Sequence, residues 1–142
     1  DSLAPYFQYS DRGVIVLCRT SNPGSDWIQG VRVGEDPLYL TVAKQVGDWD
    51  LNDQCMLVTG ATYPEELGEV REAVGDMPLL VPGVGAQGGD VEAVLKAGVD
   101  SSGQGLCISS SRGIIYAGSG RDFAEKAGQS AMRLRDEINR YR

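Results

Sequence analysis

The fold is decided by the stretch LLVPGVGAQGGD at residues 79–90, an apolar run that stops at a glycine-rich loop. A second apolar run further along the chain ends in SSSRG at residues 109–113. In both places a buried strand is predicted to pass through a loop into a helix. Backbone N–H groups at a helix N-terminus favour a phosphate, and the Arg112 guanidinium can hold one through two hydrogen bonds. The two loops together therefore predict an anion-binding site.

Four units, each a strand followed by a helix, account for most of the chain. Short apolar runs bounded by turn-forming residues predict strands at 13–18, 55–59, 78–81 and 105–109. Helical spacing of apolar residues predicts helices at about 38–46, 64–74, 91–97 and 121–141. Thr62 and Asp90 are the predicted N-caps of the second and third of these helices. A lead-in helix is predicted over residues 2–9.

The alternation of strands and helices predicts an α/β fold with parallel βα units and right-handed crossovers, in a single domain over residues 1–142. An open flavodoxin-like sheet would also bind phosphate at the carboxyl ends of its strands. A (β/α)8 TIM barrel binds phosphate in the loops after its last two strands. Because the anion-binding loops here belong to the last two units, the sequence favours the C-terminal half of a TIM barrel.

The composition argues against several kinds of partner. The formal net charge is −7, whereas nucleic-acid binding needs clustered Lys and Arg, so we expect no nucleic acid. No apolar run approaches the roughly 20 residues of a membrane helix, and residues 1–5 lack the basic segment of a secretory signal. We therefore expect a soluble protein with no membrane partner. Cys18, Cys55 and Cys107 lie inside predicted strands, which predicts buried, reduced thiols and a cytoplasmic location.

The chain contains no histidine and only three lysines. The absence of histidine removes Ser–His and Cys–His nucleophile pairs, histidine-ligated zinc and proton transfer by imidazole. Lys44, Lys96 and Lys126 fall in predicted helices, not at the strand ends where a barrel carries its catalytic residues. The cysteine spacing matches no metal motif. We therefore expect a binding site with no metal and no catalytic residue of its own.

Four segments resemble, in the right order, motifs of the orotidine 5′-phosphate decarboxylase family. VLCRTSNPG at 16–24 is similar to the family's fifth-strand segment, and GATYPEEL at 60–67 is similar to its sixth. VPGVGAQGGD at 81–90 resembles the seventh-strand motif, and SSSRGIIY at 109–116 resembles the eighth-strand phosphate motif. The segments resemble the longer, bacterial-type branch, and the resemblance covers essentially the whole chain.

This resemblance implies a (β/α)8 barrel, usually a homodimer, that converts orotidine 5′-monophosphate to UMP and CO2 without a cofactor. It implies that the Arg112 guanidinium and a backbone N–H near Ser111 bind the phosphate. Gln87 would bridge the phosphate and the pyrimidine and close a loop over the ligand. Ser21 would hydrogen-bond the pyrimidine edge, and Pro82 would line the apolar side of the ring pocket.

The family's chemistry depends on a Lys-Asp-Lys arrangement in the first half of the barrel, completed by an Asp from the partner subunit. No Asp-x-Lys-x-x-x-Asp pattern occurs in this chain. The resemblance therefore implies a C-terminal half that supplies the phosphate- and pyrimidine-binding side and lacks the catalytic Lys and Asp residues. Alone, the chain is expected to be inactive and unstable, because the apolar side chains that face the barrel interior would contact water.

Two alternatives stay open. The first is a non-catalytic half-barrel that binds a phosphate or nucleotide and self-associates to cover its open sheet edges. The second is another phosphate-binding barrel enzyme, such as those of tryptophan or histidine synthesis. In the favoured interpretation and in the first alternative the sheet needs a partner, either the missing N-terminal half or a second copy of the chain.

Overall fold

The computed structural model describes residues 2–50, 52–85 and 88–142, and four strands in them form one parallel sheet. The strands in chain order are β1 (Val14–Arg19), β2 (Arg32–Val33), β3 (Asp36–Pro37), β4 (Cys55–Thr59), β5 (Leu79–Pro82) and β6 (Leu106–Ser109). The helices are α1 (Asp26–Gln29), α2 (Leu38–Trp49), α3 (Pro64–Val74), α4 (Val91–Gly98), α5 (Ser111–Ile115) and α6 (Phe123–Tyr141). The sheet consists of β1, β4, β5 and β6, which are the four strands predicted from the apolar runs.

The strands of the sheet lie in the order β1-β4-β5-β6, which is the order in which the chain forms them, and all neighbouring pairs are parallel. A flavodoxin-like sheet reverses its strand order partway across. A barrel instead adds each strand beside the one before it. The sequential order therefore confirms the half-barrel prediction and contradicts the open-sheet alternative.

Asp90 caps α4 as predicted, whereas Thr62 does not cap α3. The Asp90 carboxylate accepts a hydrogen bond of 2.8 Å from the Ala93 N–H, which satisfies a donor in the first turn of the helix. The prediction for Thr62 is wrong, because α3 begins at Pro64 with no side-chain cap. The Thr62 hydroxyl instead donates to the Ser21 carbonyl at 3.1 Å and joins two loops at the carboxyl edge of the sheet.

One face of the sheet packs against the helices and the other face is open. On the packed face the side chains of Leu57, Leu79 and Val81 are completely buried in the apolar core. On the open face Ile15 is 56% exposed and Leu17 is 58% exposed. Successive residues of a strand point to opposite faces. The continuous apolar runs are therefore typical of strands that are covered on both faces, and the described residues cover only one face.

Several short elements differ from the sequence prediction or lie outside it. The lead-in predicted as a helix over residues 2–9 contains only a 3₁₀ turn, Tyr6–Gln8. Pro5 lies in the middle of the predicted helix and has no N–H to donate, which explains the shorter element. The helix α1, the hairpin of β2 and β3, and α5 were not predicted, because elements of two to five residues are too short to show a hydrophobic period.

The three cysteines divide between the two faces. Cys18 and Cys55 are buried as predicted, and burial raises the pKa of the Cys18 thiol to about 12 and that of Cys55 to about 11. The prediction for Cys107 is wrong, because its side chain is exposed. Cys107 is paired in register with Leu80, in a row that crosses the sheet from Leu17 on the open face. The sequence thus predicted correctly that Cys107 lies in a strand, but not that it lies on the open face.

A buried arginine holds the amino edge of the sheet together. Arg71 of α3 donates to the Gly98 carbonyl at the end of α4 and to the Met77 carbonyl before β5, both at 2.7 Å. A third bond, of 2.5 Å, reaches the Gly75 carbonyl just after α3. Burial lowers the pKa of Arg71, since its partners are neutral carbonyls, with Asp100 and Asp76 opposing the effect. Arg71 is therefore a structural clamp on the edge opposite the predicted binding loops.

Candidate functional site

The loops that follow the four parallel strands meet at one edge of the sheet and are hydrogen-bonded in a row. The Gly60 N–H after β4 donates to the Arg19 carbonyl at the end of β1, at 2.7 Å. The Ala61 N–H donates to the Pro82 carbonyl at the end of β5, at 2.9 Å. The Ser110 hydroxyl after β6 donates to the Val84 carbonyl after β5, at 3.0 Å. Each loop is thus fixed by its neighbour, and the row forms one continuous surface.

Two glycines allow these loops to approach more closely than any other residue would. A Cβ at Gly60 would lie 2.6 Å from the Ser21 nitrogen and 2.7 Å from its Cα. A Cβ at Gly89 would lie 2.5 Å from the Ala61 Cβ and 2.9 Å from the Gly83 carbonyl oxygen. Both contacts are below van der Waals distance, so only glycine fits without movement of the neighbouring backbone. The glycines therefore set the spacing between the loops.

The predicted anion-binding site lies at the end of the row formed by the loops after β5 and β6. Ser111 is the first residue of α5 and Arg112 is the second, so their N–H groups belong to the first turn, which has no intrahelical acceptor. The Arg112 side chain is exposed, and among the described residues it forms no ion pair. A small cavity of about 90 Å³ lies here, lined by Pro82, Gly83, Val84, Ser109, Ser110, Ser111 and Arg112. An unpaired guanidinium beside backbone donors is suited to bind a phosphate.

The sequence-predicted residues occupy two places along the row. Pro82, Ser111 and Arg112 line the same cavity. Ser21 lies at the other end, in the loop after β1, which is an edge strand of the sheet, as β6 is. Gln87 lies outside the described residues. The structure thus brings Pro82, Ser111 and Arg112 together and sets Ser21 two strands away from Pro82, on the same edge.

Arg19 was not singled out by the sequence analysis, although it is the most buried charged residue at this edge, at 1% exposed. Its Nε and Nη2 donate to the two carboxylate oxygens of Glu66 in the first turn of α3. Its Nη1 donates to the Ser25 hydroxyl at 2.9 Å, and its guanidinium lies 4.3 Å from the centre of the Tyr63 ring. The available signal was an arginine directly after an apolar run, together with an acidic pair, Glu65 and Glu66, in the first turn of α3.

The electrostatics keep Arg19 charged despite its burial. Burial alone lowers the pKa of this guanidinium, but the hydrogen bond and the negative charge of Glu66 outweigh it, so the pKa of Arg19 is raised. A buried charge is tolerated only when it is paired and hydrogen-bonded, and Glu66 supplies both contributions. The pair therefore links the end of β1 to the start of α3.

Among the residues that the structure describes, no three His, Cys, Asp or Glu side chains are grouped so that they could hold a metal ion. No helix within them has both the length and the apolar character needed to cross a membrane. The candidate functional site is the row of hydrogen-bonded loops at the carboxyl edge, with the cavity beside Arg112.

Taken together, a parallel sheet in chain order, helices on one face and a row of strand-end loops at the carboxyl edge define half of a (β/α)8 barrel. Comparison with known proteins names the family. The chain is 55% identical to an orotidine 5′-phosphate decarboxylase of Azoarcus sp. over 143 aligned residues, which cover 100% of this chain and 53% of the relative. It is 54% identical to the Bordetella pertussis enzyme of that name, again covering 100% and 53%. The chain therefore belongs to the orotidine 5′-phosphate decarboxylase family, and it spans about half the length of the curated relatives it matches.

Solved structures give the same result. Leishmania donovani OMP decarboxylase matches with a TM-score of 0.80 and 37% identity, over 96% of this chain and 52% of that one. Leishmania donovani UMP synthase matches with a TM-score of 0.84 and 41% identity, over 97% of this chain and 30% of that one. A search of protein-family models found no match. The resemblance noted from the four motifs is confirmed, and the chain corresponds to the C-terminal half.

Proposed function

We propose that this chain is the ligand-binding half of an orotidine 5′-phosphate decarboxylase, which converts orotidine 5′-monophosphate to UMP and CO2. The observation that carries the proposal is the row of four strand-end loops on one edge, ending in the exposed guanidinium of Arg112 beside a small cavity. The match of the whole chain to about half the length of enzymes of this name supports it. Another phosphate-binding barrel enzyme is not favoured, because the relatives and solved structures described above have this name or that of UMP synthase.

The substrate phosphate binds at the β5–β6 end of the row. The Arg112 guanidinium donates to phosphate oxygens, and a backbone N–H of the Ser111 region supplies a second donor. Gln87 bridges the phosphate and the pyrimidine. Pro82 lines the apolar side of the ring pocket, and Ser21 hydrogen-bonds the edge of the pyrimidine. The two ends of the row thus bind the two ends of one nucleotide.

Decarboxylation itself needs residues that this chain does not contain. Lysine and aspartate side chains of the N-terminal half, with an aspartate from a second subunit, supply the charges around the reacting carboxylate and the proton that replaces CO2. The phosphate does not react, so its binding energy contributes by fixing the pyrimidine among those charges. No cofactor takes part. The 142 residues act as one domain and are inactive without the other half.

The partner in this proposal is the N-terminal half, joined to this chain or supplied separately. Its strands continue the sheet beyond β1 and β6 and cover the open face that exposes Ile15 and Leu17. The assembled barrel pairs with a second subunit to complete the site. The free thiols of Cys18, Cys55 and Cys107 suit the reducing cytoplasm, where we place the enzyme.

The test is to supply the N-terminal half of the Azoarcus relative, in cis or in trans, and to follow the loss of orotidine 5′-monophosphate absorbance. We expect turnover from the assembly and none from either half. Arg112→Ala should lower kcat/KM by roughly a hundredfold, as loss of a charge-assisted phosphate contact predicts. The matched control is Arg140→Ala, which removes an exposed arginine near the end of α6 and should leave kcat/KM unchanged.

A folded assembly without turnover would contradict the proposal. If the chain associates only with copies of itself and binds UMP without converting it, it is the self-associating, non-catalytic half-barrel instead. Native mass measurement distinguishes these outcomes, because a homo-oligomer and a complex of two different halves have different subunit masses.

A further inference from the structure

Arg19 occupies a position that the regular strand would not give it. The pairing of β1 with β4 shifts register between Leu17 and Arg19, so that Leu17 is opposite Val58 and Arg19 is opposite Thr59. In a regular strand Arg19 would share the open face with Leu17, since residues two apart point the same way. The bulge turns Arg19 towards the packed face, where Thr59 is completely buried. The charged side chain of Arg19 thus points away from the open face and into the protein.

At that position Arg19 holds both sides of the loop that contains Ser21. The guanidinium donates to the Ser25 hydroxyl at 2.9 Å, in the 3₁₀ turn Pro23–Ser25 that follows Ser21. A longer contact, of 3.4 Å, reaches the Asp26 carboxylate. The Arg19 carbonyl, on the other side, accepts the Gly60 N–H at 2.7 Å. The Arg19 side chain therefore closes the loop by joining the end of β1 to Ser25.

Glu66 anchors this loop to α3 and to the loop after β4. Its two carboxylate oxygens accept from Arg19, a two-point contact that fixes the orientation of the guanidinium. Thr62, four residues earlier, donates to the Ser21 carbonyl at 3.1 Å. Gly60 lies so close to Ser21 that a Cβ there would overlap its backbone. The Ser21 backbone is thus held from α3, from the β4 loop and from its own loop.

We propose that Arg19, with Glu66 as its counter-charge, is a positioning residue that fixes Ser21 for contact with the pyrimidine. This inference rests on the proposed function, because it assumes that Ser21 contacts the base. Lysine cannot replace Arg19, since an ammonium group lacks the planar fork that bonds Glu66 and Ser25 together. Binding of the pyrimidine end of the nucleotide should depend on the Arg19–Glu66 pair. Binding of the phosphate end, which lies at the β5–β6 end of the same edge, should not.

The experiment uses the assembled barrel and two ligands, UMP and ribose 5-phosphate, which share the ribose phosphate, whereas only UMP carries a pyrimidine. Arg19→Lys and, separately, Glu66→Gln should weaken UMP binding about five- to tenfold, the value of one lost hydrogen bond. Neither variant should change ribose 5-phosphate binding by more than about twofold. Glu66→Gln keeps the shape of the side chain, so it tests the pair even if Arg19→Lys fails to fold.

The matched control is Arg71→Lys. Arg71 is also a buried arginine, at 9% exposed, but it bonds carbonyls on the opposite edge of the sheet. Arg71→Lys should lower the urea midpoint and leave the ratio of UMP to ribose 5-phosphate affinity unchanged. If both arginine variants change that ratio equally, Arg19 has only a structural role and the inference is wrong.

A double-mutant cycle with Ser21→Ala supplies the second readout. If Arg19 acts through Ser21, Arg19→Lys should have little further effect on UMP affinity once the Ser21 hydroxyl is gone. Effects that add, or a loss shared equally by both ligands, would overturn the positioning role. If the unaltered assembly binds neither UMP nor ribose 5-phosphate, the proposed function itself fails, which is a different and recognisable result.

Discussion

The two faces of the sheet carry the same kind of side chain and have opposite surroundings. Leu57 on the packed face is completely buried under the helices, whereas Ile15 on the open face is 56% exposed. In β1 and β4 successive side chains alternate between the two faces, and both faces carry apolar residues. Neither sequence therefore shows which face is covered. The difference teaches that this chain supplies one complete layer of a core and one apolar surface that its described residues leave open.

The largest effect is expected from a charge on the open face. Ile15→Asp should weaken association with the N-terminal half by a hundredfold or more, because an unpaired carboxylate buried in a barrel core costs several kcal/mol. Ile15 lies near the start of β1, away from the binding loops, so native mass measurement of the assembly reports association directly. Gln45→Asp, on the exposed surface of α2, is the control. Undiminished association of Ile15→Asp would mean that this face stays uncovered.

Truncation of an apolar side chain should have different effects on the two faces of the sheet, even in the chain by itself. Leu57→Ala should lower the free energy of unfolding by about 2–5 kcal/mol through lost burial and a cavity, whereas Ile15→Ala should change it by less than about 0.5 kcal/mol. Urea unfolding in sucrose, which favours the compact state for both variants, measures the difference. Equal losses would show that the open face is already covered, as in a self-associated chain.

Thiol labelling should report which face is accessible. Iodoacetamide at pH 8 should modify Cys107 in the folded chain and leave Cys18 and Cys55 unmodified, because these two are buried and their raised pKa values keep them protonated. All three should react in urea. Addition of the N-terminal half should slow Cys107 labelling at least tenfold if the open face becomes the barrel interior. Unchanged labelling would place the partner elsewhere.

The smallest effect is the pH dependence of stability. Burial raises the pKa of Cys18 from 9.0 to about 12, so the folded state keeps its proton after the unfolded state has lost it. The resulting stabilisation is complete below pH 9 and is lost as the pH rises from 9 towards 12. Cys18→Ala should therefore show a shallower fall in urea midpoint over this range than the unaltered chain. If the urea midpoints of the two proteins fall equally with pH, the Cys18 thiol does not contribute to the pH dependence of stability.

Gly60 shows why the site was only partly predictable. Ser21, Pro82 and Ser111 were found through the family motifs that contain them, and Arg112 also through its position in the loop after a predicted strand. The structure places all four at one edge. Gly60 is required by a neighbouring loop that is remote in sequence, and no local pattern records that contact. The buried pair of Arg19 and Glu66 was missed for the same reason, since Glu66 alone is a normal residue for a helix N-terminus.

The sequence by itself determined the four strands, the long helices, the parallel α/β class and the family, because hydrophobic period, caps and short motifs are properties of neighbouring residues. Only the tertiary structure decided the face on which Cys107 lies, the bulge that turns Arg19 inward and the contact between Gly60 and Ser21. These depend on which strands lie side by side and in which register. Register is set by packing between segments distant in the chain, so it is settled only when the sheet has formed.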